Sequence, residues 1–264
     1  MTLFDFQNED WHTTDIDVDS LWIINKRDSS GKHSNIYHGN FVPQIPYQMI
    51  KRYTKTNDTV LDIFSGSGTT LFECERLNRN FIGTDINSEL VDYVNSKMES
   101  TTSIKFFNNY CDNTDTENFK RIVSHNLDQL NCENVDLLLA HPPYWNIIKF
   151  TDNPNDLSNI SDMNKFIDKF VVSMSNGLLF LKKGGYFVVV AGDIYRSSEV
   201  IPLGFYLMYA IKKQFKCKMK GIIVKNIEGN RGKIGTNNIW KYRALKSDYY
   251  LFKHEYIFVF KKEW

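Results

Sequence analysis

From about residue 40 onward, short β-rich runs alternate with stretches of helical composition. Such alternation is typical of a mostly parallel sheet packed between helices, because parallel strands need a long crossover connection. The run Val135–Ala140 is apolar at all but one position, as expected of a strand buried on both faces. The predicted strands are Val60–Phe64, Phe81–Asp85, Ile104–Tyr110, Val135–Ala140, Tyr186–Ala191, Met219–Val224 and Phe252–Lys261. The predicted helices are one that leads into Val60 and those at Thr69–Leu77, Ser88–Met98, Asp162–Leu181 and Pro202–Lys213.

Composition narrows the class of protein. The chain has 264 residues, of which 42% are hydrophobic and 24% charged, as expected of a globular protein of one large domain. No apolar run approaches the roughly 18 residues of a membrane span, and the acidic start lacks the Lys and Arg of a signal peptide. The four cysteines form no CxxC pair, so we predict neither a disulfide framework nor a metal site, and we expect a cytoplasmic location.

Charge is distributed unevenly along the chain. Residues 1–19 carry six acids and no Lys or Arg, whereas residues 211–246 carry eleven Lys and Arg residues and one acid. The basic tract favours a polyanionic partner, and a solvated Lys-rich helix face is the alternative. We therefore expect an acidic extension over residues 1–37 and one α/β domain over 38–264, which contains a basic, aperiodic excursion at 225–250.

The segment LDIFSGSGTT, Leu61–Thr70, joins an apolar strand to a helix through Gly66 and Gly68. Glycines at such a turn let the backbone approach a ligand closely, and the helix N-terminus offers unpaired N–H groups. The next strand ends in GTDIN, where Asp85 can accept hydrogen bonds from a ribose diol. This order of elements predicts a cofactor site at the carboxyl ends of parallel strands. It is not a phosphate loop of the GxxxxGK[ST] type, because no Lys follows Gly68.

Three motifs in this chain resemble those of the amino-methyltransferases that modify exocyclic amines of DNA bases. The glycine motif is one, and His141-Pro142-Pro143-Tyr144 stands where that family has [DNS]PP[YFW]. The Pro/Gln-rich segment HGNFVPQIP, His38–Pro46, precedes both. The resemblance covers roughly residues 38–260, and a subgroup of small bacterial DNA methylases shares HPPY and a basic aromatic tail such as WKYRAL. It implies a Rossmann-like methyltransferase fold, with a mostly parallel seven-stranded sheet and helices on both faces, and a catalytic domain over residues 38–264.

The resemblance also implies the cofactor, S-adenosyl-L-methionine, and the residues that bind it. Alternative interpretations stay open for four of these: Asp62 anchors the turn, Asp112 caps a helix, and Phe41 and Gln44 pack an N-terminal helix. The predicted cofactor contacts are Phe41, Pro43, Gln44, Asp62, Phe64, Ser65, Gly66, Ser67, Gly68, Thr69, Thr70, Asp85, Ile86, Asn87 and Asp112.

The four residues His141–Tyr144, here called the HPPY tetrad, imply transfer to an exocyclic amine. By the resemblance, the first residue accepts a hydrogen bond from the amine, Pro142 and Pro143 fix the chain, and Tyr144 stacks on a flipped-out base. His141 departs from the Asp, Asn or Ser of the family. Because only a neutral imidazole accepts a hydrogen bond, we expect low pH to inhibit transfer. A histidine that merely caps the loop is the alternative.

Residues 225–250 contain Lys and Arg, amide and aromatic side chains. This mixture suits contacts with phosphates, hydrogen bonds to the edges of nucleobases, and stacking on them. A packed amphipathic loop is the alternative. We expect double-stranded DNA as the substrate, with adenine N6 slightly favoured over cytosine N4 by the resemblance. An RNA methyltransferase and a catalytically silent nucleic-acid-binding protein are the other interpretations; a cognate restriction enzyme, and a monomeric or homodimeric state, stay open. The predicted DNA contacts are Trp145, Lys225, Asn226, Asn230, Arg231, Lys233, Asn237, Trp240, Lys241 and Arg243.

Overall fold

A large twisted sheet carries helices on both of its faces. The computed structural model describes residues 12–33, 39–98, 103–227 and 237–264. The strands in these residues are β1 (Leu21–Trp22), β2 (Thr59–Asp62), β3 (Asn80–Asp85), β4 (Phe106–Tyr110), β5 (Val135–Ala140), β6 (Leu181–Ala191), β7 (Ile194–Arg196), β8 (Glu199–Ile201), β9 (Cys217–Asn226) and β10 (His254–Lys262). The helices are α1 (Gln44–Tyr53), α2 (Thr69–Arg76), α3 (Ser88–Met98), α4 (Thr116–Leu130), α5 (Met163–Phe180), α6 (Leu203–Gln214) and α7 (Asn237–Lys246).

The strand order is β1-β9-β10-β6-β5-β2-β3-β4. Strands β2 to β6 pair in parallel, and β10 lies antiparallel between β6 and β9. As a result, β2 to β6 and β9 all end at one edge of the sheet, here called the carboxyl edge, and β10 begins there. This arrangement confirms the predicted Rossmann-like, mostly parallel sheet.

The described sheet has eight strands rather than the predicted seven, because the N-terminal extension supplies β1. Leu21 and Trp22 pair in parallel with Val224 and Lys225 of β9. Trp22 is only 3% exposed, so its indole anchors this edge strand in the core. A two-residue strand is too short to produce the alternation by which strands are found in a sequence.

The core is divided by the sheet into two layers. Side chains of α1, α2 and α3 pack on one face, and those of α4, α5 and α6 pack on the other. Successive residues of the central strands alternate between the layers, so that Leu137 lies in one and Leu138 in the other. Both faces of β5 are therefore covered, which explains its continuous apolar sequence.

Helices α4 and α7 have no counterpart in the elements predicted from the sequence. Helix α4 begins after Asp115, whose side chain accepts a hydrogen bond from the Asn118 backbone N–H. It buries Phe119, Val123 and Leu127 at helical spacing. Helix α7 lies within the excursion at 225–250.

The N-terminal extension is fastened to α1 and α2. Asp15 accepts hydrogen bonds from Tyr47 and Lys51 of α1. His33 and Glu73 of α2 form a buried contact of 2.6 Å between Nε2 and Oε1. In the described ranges, no helix combines the length and the apolar composition needed to cross a bilayer.

Candidate active site

The predicted motifs meet at the carboxyl edge of the sheet. The glycine motif follows β2, Asp85 ends β3, Asp112 follows β4 and the HPPY tetrad follows β5. These four strands are neighbours in the order β5-β2-β3-β4. Parallel strands that end together place their following loops side by side, which is where ligands bind in open α/β sheets.

The turn of the glycine motif depends on two glycines. Gly66 has φ +49° and Gly68 has φ +81°, a region that glycine enters at little cost. The Gly68 N–H donates to the Ser65 carbonyl over 2.9 Å, and the Ser65 N–H donates to the Thr84 carbonyl over 3.1 Å. The turn is thus tied to β3, and the first residues of α2 follow it directly.

Substitution of Gly68 by Ala is expected to destabilise the fold as well as the turn. A Cβ at this position would lie 2.8 Å from Val94 Cγ1, in addition to the strain of φ +81°. The backbone strain alone costs about 1–3 kcal/mol, so a larger loss in urea unfolding is expected. Gly31→Ala is the matched control, because Gly31 has φ +62° in open space. An equal loss in both variants would mean that the contact with Val94 is harmless.

Asp62 and Thr70 lie inside the fold rather than at the surface of the site. The Thr70 hydroxyl donates to Asp62 Oδ2, and the Phe64 N–H donates to Asp62 Oδ1. Asp62 is 1% exposed and burial raises its pKa to about 6. The structure therefore favours the alternative role for Asp62, which is to anchor the turn, and Thr70 is its hydrogen-bond partner.

Asp85 faces the glycine turn. Its Oδ2 accepts from the Gly66 N–H over 2.8 Å, and its Oδ1 accepts from the Asn87 N–H over 2.9 Å. Burial raises the pKa of Asp85 to about 6, although the N–H donors act in the opposite direction. Each carboxylate oxygen has a second lone pair, so the side chain can still accept hydrogen bonds from a ligand.

The remaining predicted cofactor residues lie around this turn. Ser65, Ser67 and Thr69 are buried, whereas Phe64 and Ile86 are half-buried. Asn87 accepts from the Leu90 N–H at the start of α3.

Asp112 does not cap α4, because Asp115 does. Its Oδ1 accepts from the backbone N–H and the hydroxyl of Thr114, each over 2.8 Å. Asp112 therefore organises the loop at the end of β4.

The Pro/Gln-rich segment divides into two parts. Gln44 is used by the N-terminal extension, because its amide accepts from the Asp28 N–H and donates to the Lys26 carbonyl. The structure thus favours the packing role for Gln44 over cofactor binding. Pro43 is buried at the start of α1. Phe41 is 8% exposed, and its ring meets that of His141 edge-on, with centroids 4.9 Å apart.

Asn40 is a site residue that sequence reasoning missed. Its Oδ1 accepts from the Ser67 hydroxyl over 2.7 Å, and its Nδ2 is buried without a partner in the described structure. Asn40 stands directly before Phe41 in the Pro/Gln-rich segment. Its position in that segment was the sequence signal that could have identified it. Asn40 therefore presents an unused donor next to the glycine turn.

The HPPY tetrad is held by packing and by hydrogen bonds. Pro142 is buried, and the Pro143 carbonyl accepts from the Trp145 N–H over 2.9 Å. The ring of Tyr144 lies against Gly192, where a Cβ would approach Tyr144 Cε2 to 2.8 Å. His141 Nε2 lies 3.4 Å from the Tyr144 hydroxyl oxygen.

The Tyr144 hydroxyl leads to a buried ion pair. It donates to Glu255 Oε2 over 2.9 Å, and Lys225 Nζ donates to Glu255 Oε1 over 2.8 Å. Burial would raise the pKa of Glu255, but the Lys225 ammonium holds it below its ordinary value. Burial and the Glu255 carboxylate raise the pKa of Tyr144 well above its ordinary value. Glu255 is another site residue for which the sequence gives no motif.

The protonation of His141 differs from the sequence-based expectation. Burial lowers its pKa to about 4; the Glu255 carboxylate opposes this shift and the Lys225 ammonium adds to it. The imidazole is therefore neutral throughout the physiological range. The expected inhibition moves from the ordinary histidine range down to about pH 4.

The side chains of three predicted DNA contacts are engaged within the fold. Trp145 is 7% exposed and belongs to the core, with Arg196 over its ring at 4.4 Å. Lys225 is buried against Glu255. Asn226 is used by the backbone of Ile24, which it both accepts from and donates to. These side chains maintain the fold, so the sequence-based assignment is corrected for all three.

The basic tract at 211–246 is not one surface. Lys213 and Lys216 are exposed at the edge of the sheet opposite the carboxyl edge, because β9 begins there. Lys241 and Arg243 are exposed on α7, which lies between the end of β9 and the start of β10 and thus on the carboxyl side. Asn230, Arg231 and Lys233 lie outside the described residues, and for Asn237 and Trp240 only the backbone, in α7, is described.

The β7–β8 hairpin contacts two other loops at the carboxyl edge. Tyr195 of β7 stacks on Tyr249, with ring centroids 4.3 Å apart. Arg196 donates to Asn146, which follows the HPPY tetrad closely. Ile147 is 51% exposed in the same loop. The β7–β8 hairpin therefore connects the loop after the tetrad to the chain after α7, beside the site.

Comparison with known proteins gives one family and several relatives. Residues 5–96 match the family described as DNA methylase (N6_N4_Mtase). The Type II methyltransferase M.MjaII of Methanocaldococcus jannaschii is 29% identical over 182 residues, 69% of this chain and 28% of that protein. The Type II methyltransferase M1.MboII of Moraxella bovis is 48% identical over 48 residues, 18% of each chain. The aligned part of this chain thus spans less than a third of either relative.

A solved structure supports the fold. TrmN from Thermus thermophilus aligns with 85% of this chain and 50% of its own, with a TM-score of 0.51 and 14% sequence identity. At this identity the likeness concerns the fold alone.

Proposed function

We propose that this chain, residues 5–96 of which match the N6/N4 DNA methylase family, transfers a methyl group from S-adenosylmethionine to the exocyclic amine of a DNA base. The observation that carries the proposal is the contact of one short segment with both motifs. Asn40 hydrogen-bonds Ser67 of the glycine turn, and the next residue, Phe41, packs on His141 of the HPPY tetrad. The cofactor turn and the tetrad thus form one site.

The residues at the glycine turn fit S-adenosylmethionine. A carboxylate with free lone pairs, on Asp85, suits the ribose hydroxyls. The unpartnered Nδ2 of Asn40 and the N-terminus of α2 suit the carboxylate of the methionine part. When bound, the cofactor supplies an electrophilic methyl group on a sulfonium.

His141 and Pro142 hold the target amine. An exocyclic amine is a poor nucleophile because its lone pair is delocalised into the ring, so two acceptors on its protons favour the reactive geometry. The neutral imidazole of His141 provides one acceptor. The Pro142 carbonyl provides the other, since no donor in the described chain bonds to it, whereas the Pro143 carbonyl is used by Trp145. Because the pKa of His141 is about 4, its imidazole positions the amine but does not keep a proton that the amine releases.

Tyr144 provides a fixed aromatic surface for the base. Its hydroxyl is held by Glu255 and its ring is packed against Gly192, so the ring has little freedom to lose on binding. Stacking of a base on an aromatic side chain contributes about 1–3 kcal/mol. A base reaches this position only when it is flipped out of the duplex.

Methyl transfer from labelled S-adenosylmethionine tests the proposed function. The purified chain is incubated with double-stranded DNA, and the nucleosides are separated by mass spectrometry. A labelled exocyclic amine is expected, and its mass and retention identify it as N6-methyladenine or N4-methylcytosine. Label in RNA but not in DNA, or cofactor binding without transfer to either, would overturn the proposal.

The exposed basic side chains of α7 are proposed to contact DNA phosphates. Substitution of both Lys241 and Arg243 by Ala is expected to weaken binding of every DNA sequence and to reduce the salt slope by about one unit per lost contact. Titrations at several salt concentrations measure this, with cofactor affinity unchanged.

The matched control for this prediction comes from the same basic tract. Lys213→Ala with Lys216→Ala removes two charges at the opposite edge of the sheet. Equal losses in both double variants would mean that only net charge matters, and α7 would then not be a DNA contact.

A further inference from the structure

The Glu255–Lys225 ion pair lies beneath the HPPY tetrad, where the proposed transfer has no direct use for it. The two residues are paired directly across β9 and β10, and their side chains are 6% (Lys225) and 9% (Glu255) exposed. Removing two charges from water is costly. The pair keeps one link to the site, because the second Glu255 oxygen accepts from Tyr144.

The ion pair fixes the direction of the hydrogen bonds above it. An ionised carboxylate only accepts hydrogen bonds, so the Tyr144 hydroxyl must donate its hydrogen bond to Glu255. The Tyr144 oxygen then presents lone pairs to His141 Nε2, which is 3.4 Å away. A neutral imidazole carries one N–H, and only a proton on Nε2 makes this contact favourable.

We propose that Lys225 and Glu255, acting through the Tyr144 hydroxyl, hold His141 in the Nε2-protonated tautomer, which leaves Nδ1 as the acceptor for the target amine. The proposal rests on the proposed function for the identity of that amine. Lys225 and Glu255 are positioning residues, since they act through Tyr144. The arrangement explains how a histidine replaces the Asp, Asn or Ser of the related motif, because Nδ1 is held unprotonated and can only accept a hydrogen bond.

The surroundings of the ring agree with this assignment. Nδ1 of His141 has no hydrogen-bond partner in the described chain, so its lone pair is free for a ligand. Phe41 packs edge-on against the imidazole and restricts its rotation. The outer partners of a functional histidine commonly fix its tautomer in this way.

Nitrogen NMR of the free protein tests the tautomer directly. Long-range proton–nitrogen correlation spectra distinguish Nε2–H from Nδ1–H in each of the six histidines, and the His141 signals are identified by their loss in His141→Asn. The expected result is Nε2–H in the wild type near neutral pH. A proton on Nδ1 would overturn the proposal without touching the proposed function, because neither DNA nor cofactor is present.

Glu255→Gln is expected to reverse the tautomer. The Lys225 ammonium only donates, so the new amide turns its oxygen to Lys225 and its NH₂ to Tyr144. The Tyr144 hydroxyl then donates to His141 Nε2, and the proton moves to Nδ1. Adding Lys225→Met frees the amide oxygen for Tyr144, so the double variant is expected to regain Nε2–H. Such rescue would not follow from a merely structural role.

Methyl transfer should follow the tautomer. Glu255→Gln is expected to lower the single-turnover rate roughly 10- to 100-fold, by analogy with the loss of outer partners at metal-binding histidines, while the affinity for cofactor is unchanged. The double variant is expected to recover most of the rate. Tyr47→Phe is the matched control, since it removes a tyrosine hydroxyl that is bonded to Asp15 of the N-terminal extension. An unchanged tautomer in Glu255→Gln, or no rescue, would overturn the proposal; a silent wild type with the expected tautomers would overturn the proposed function alone.

Discussion

His141→Ala is expected to slow methyl transfer to DNA about 100-fold or more in single turnover, while the affinity for S-adenosylmethionine stays the same. The substitution removes an acceptor for the target amine that acts chiefly in the transition state. The glycine turn does not contact His141 directly, so cofactor binding has no reason to change. Rapid-quench measurement of labelled DNA at saturating cofactor gives the rate, and isothermal titration gives the affinity.

Two further variants isolate the role of the imidazole. His141→Asn keeps an acceptor and restores a residue usual in the related motif, so it should retain more activity than His141→Ala. His125→Ala is the control, because His125 is exposed on α4 away from the carboxyl edge. A near-normal rate in His141→Ala would mean that the histidine only caps its loop.

The pH profile supplies an independent test of His141. Neutral imidazole is the competent form, and burial lowers the pKa to about 4 from an ordinary value of 6.5. Competence is therefore complete above about pH 5 and is lost only as the pH falls through about 4. At saturating cofactor, the wild-type rate should be flat between about pH 5.5 and 8.5. A decline centred near the ordinary histidine value would show that the imidazole is not shielded.

The arrangement of the proposed cofactor half of the site follows largely from the sequence. A strand, a glycine turn, a helix and an acid-terminated strand are local features, and parallel pairing of β2 and β3 then brings Asp85 to Gly66. The resemblance drawn from the motifs agrees with the family match over residues 5–96, which contains the Pro/Gln-rich segment and the glycine motif. The identity of the innermost residues is less predictable, since Asp62 and Thr70 have the composition of ligand contacts but satisfy each other.

The other half of the site depends on contacts between distant parts of the chain. Lys225 and Trp145 have the composition of a nucleic-acid surface, yet both point into the fold. Composition does not tell which face of a strand a lysine occupies, and a buried lysine needs a partner such as Glu255, thirty residues further on. Helix α4 was predictable in principle, because Phe119, Val123 and Leu127 recur at helical spacing after the capping residue Asp115.

Asp85→Ala is expected to raise the dissociation constant for S-adenosylmethionine on the order of 100-fold or more. Hydrogen bonds to a charged group contribute about 1.5–3 kcal/mol each, and a ribose diol would make two with this carboxylate. The substitution also removes the acceptors of the Gly66 and Asn87 N–H groups, which loosens the turn. Asp92→Ala is the control, because Asp92 is an exposed acid on α3. Isothermal titration measures both variants.

The affinity for the cofactor should also depend on pH through Asp85. Burial raises the pKa of its carboxyl to about 6, and only the ionised form accepts hydrogen bonds on both oxygens. Affinity is therefore full above about pH 7 and should weaken about tenfold for each unit below pH 6.

Asp62 titrates in the same range as Asp85. Its carboxylate is enclosed by Thr70 and Phe64, so it is not expected to contact a ligand directly. Asp85→Ala separates the two acids: if the variant still loses affinity as the pH falls through 6, the dependence belongs to Asp62 and the turn it anchors. If the variant binds weakly at every pH and without that dependence, Asp85 is the ribose partner.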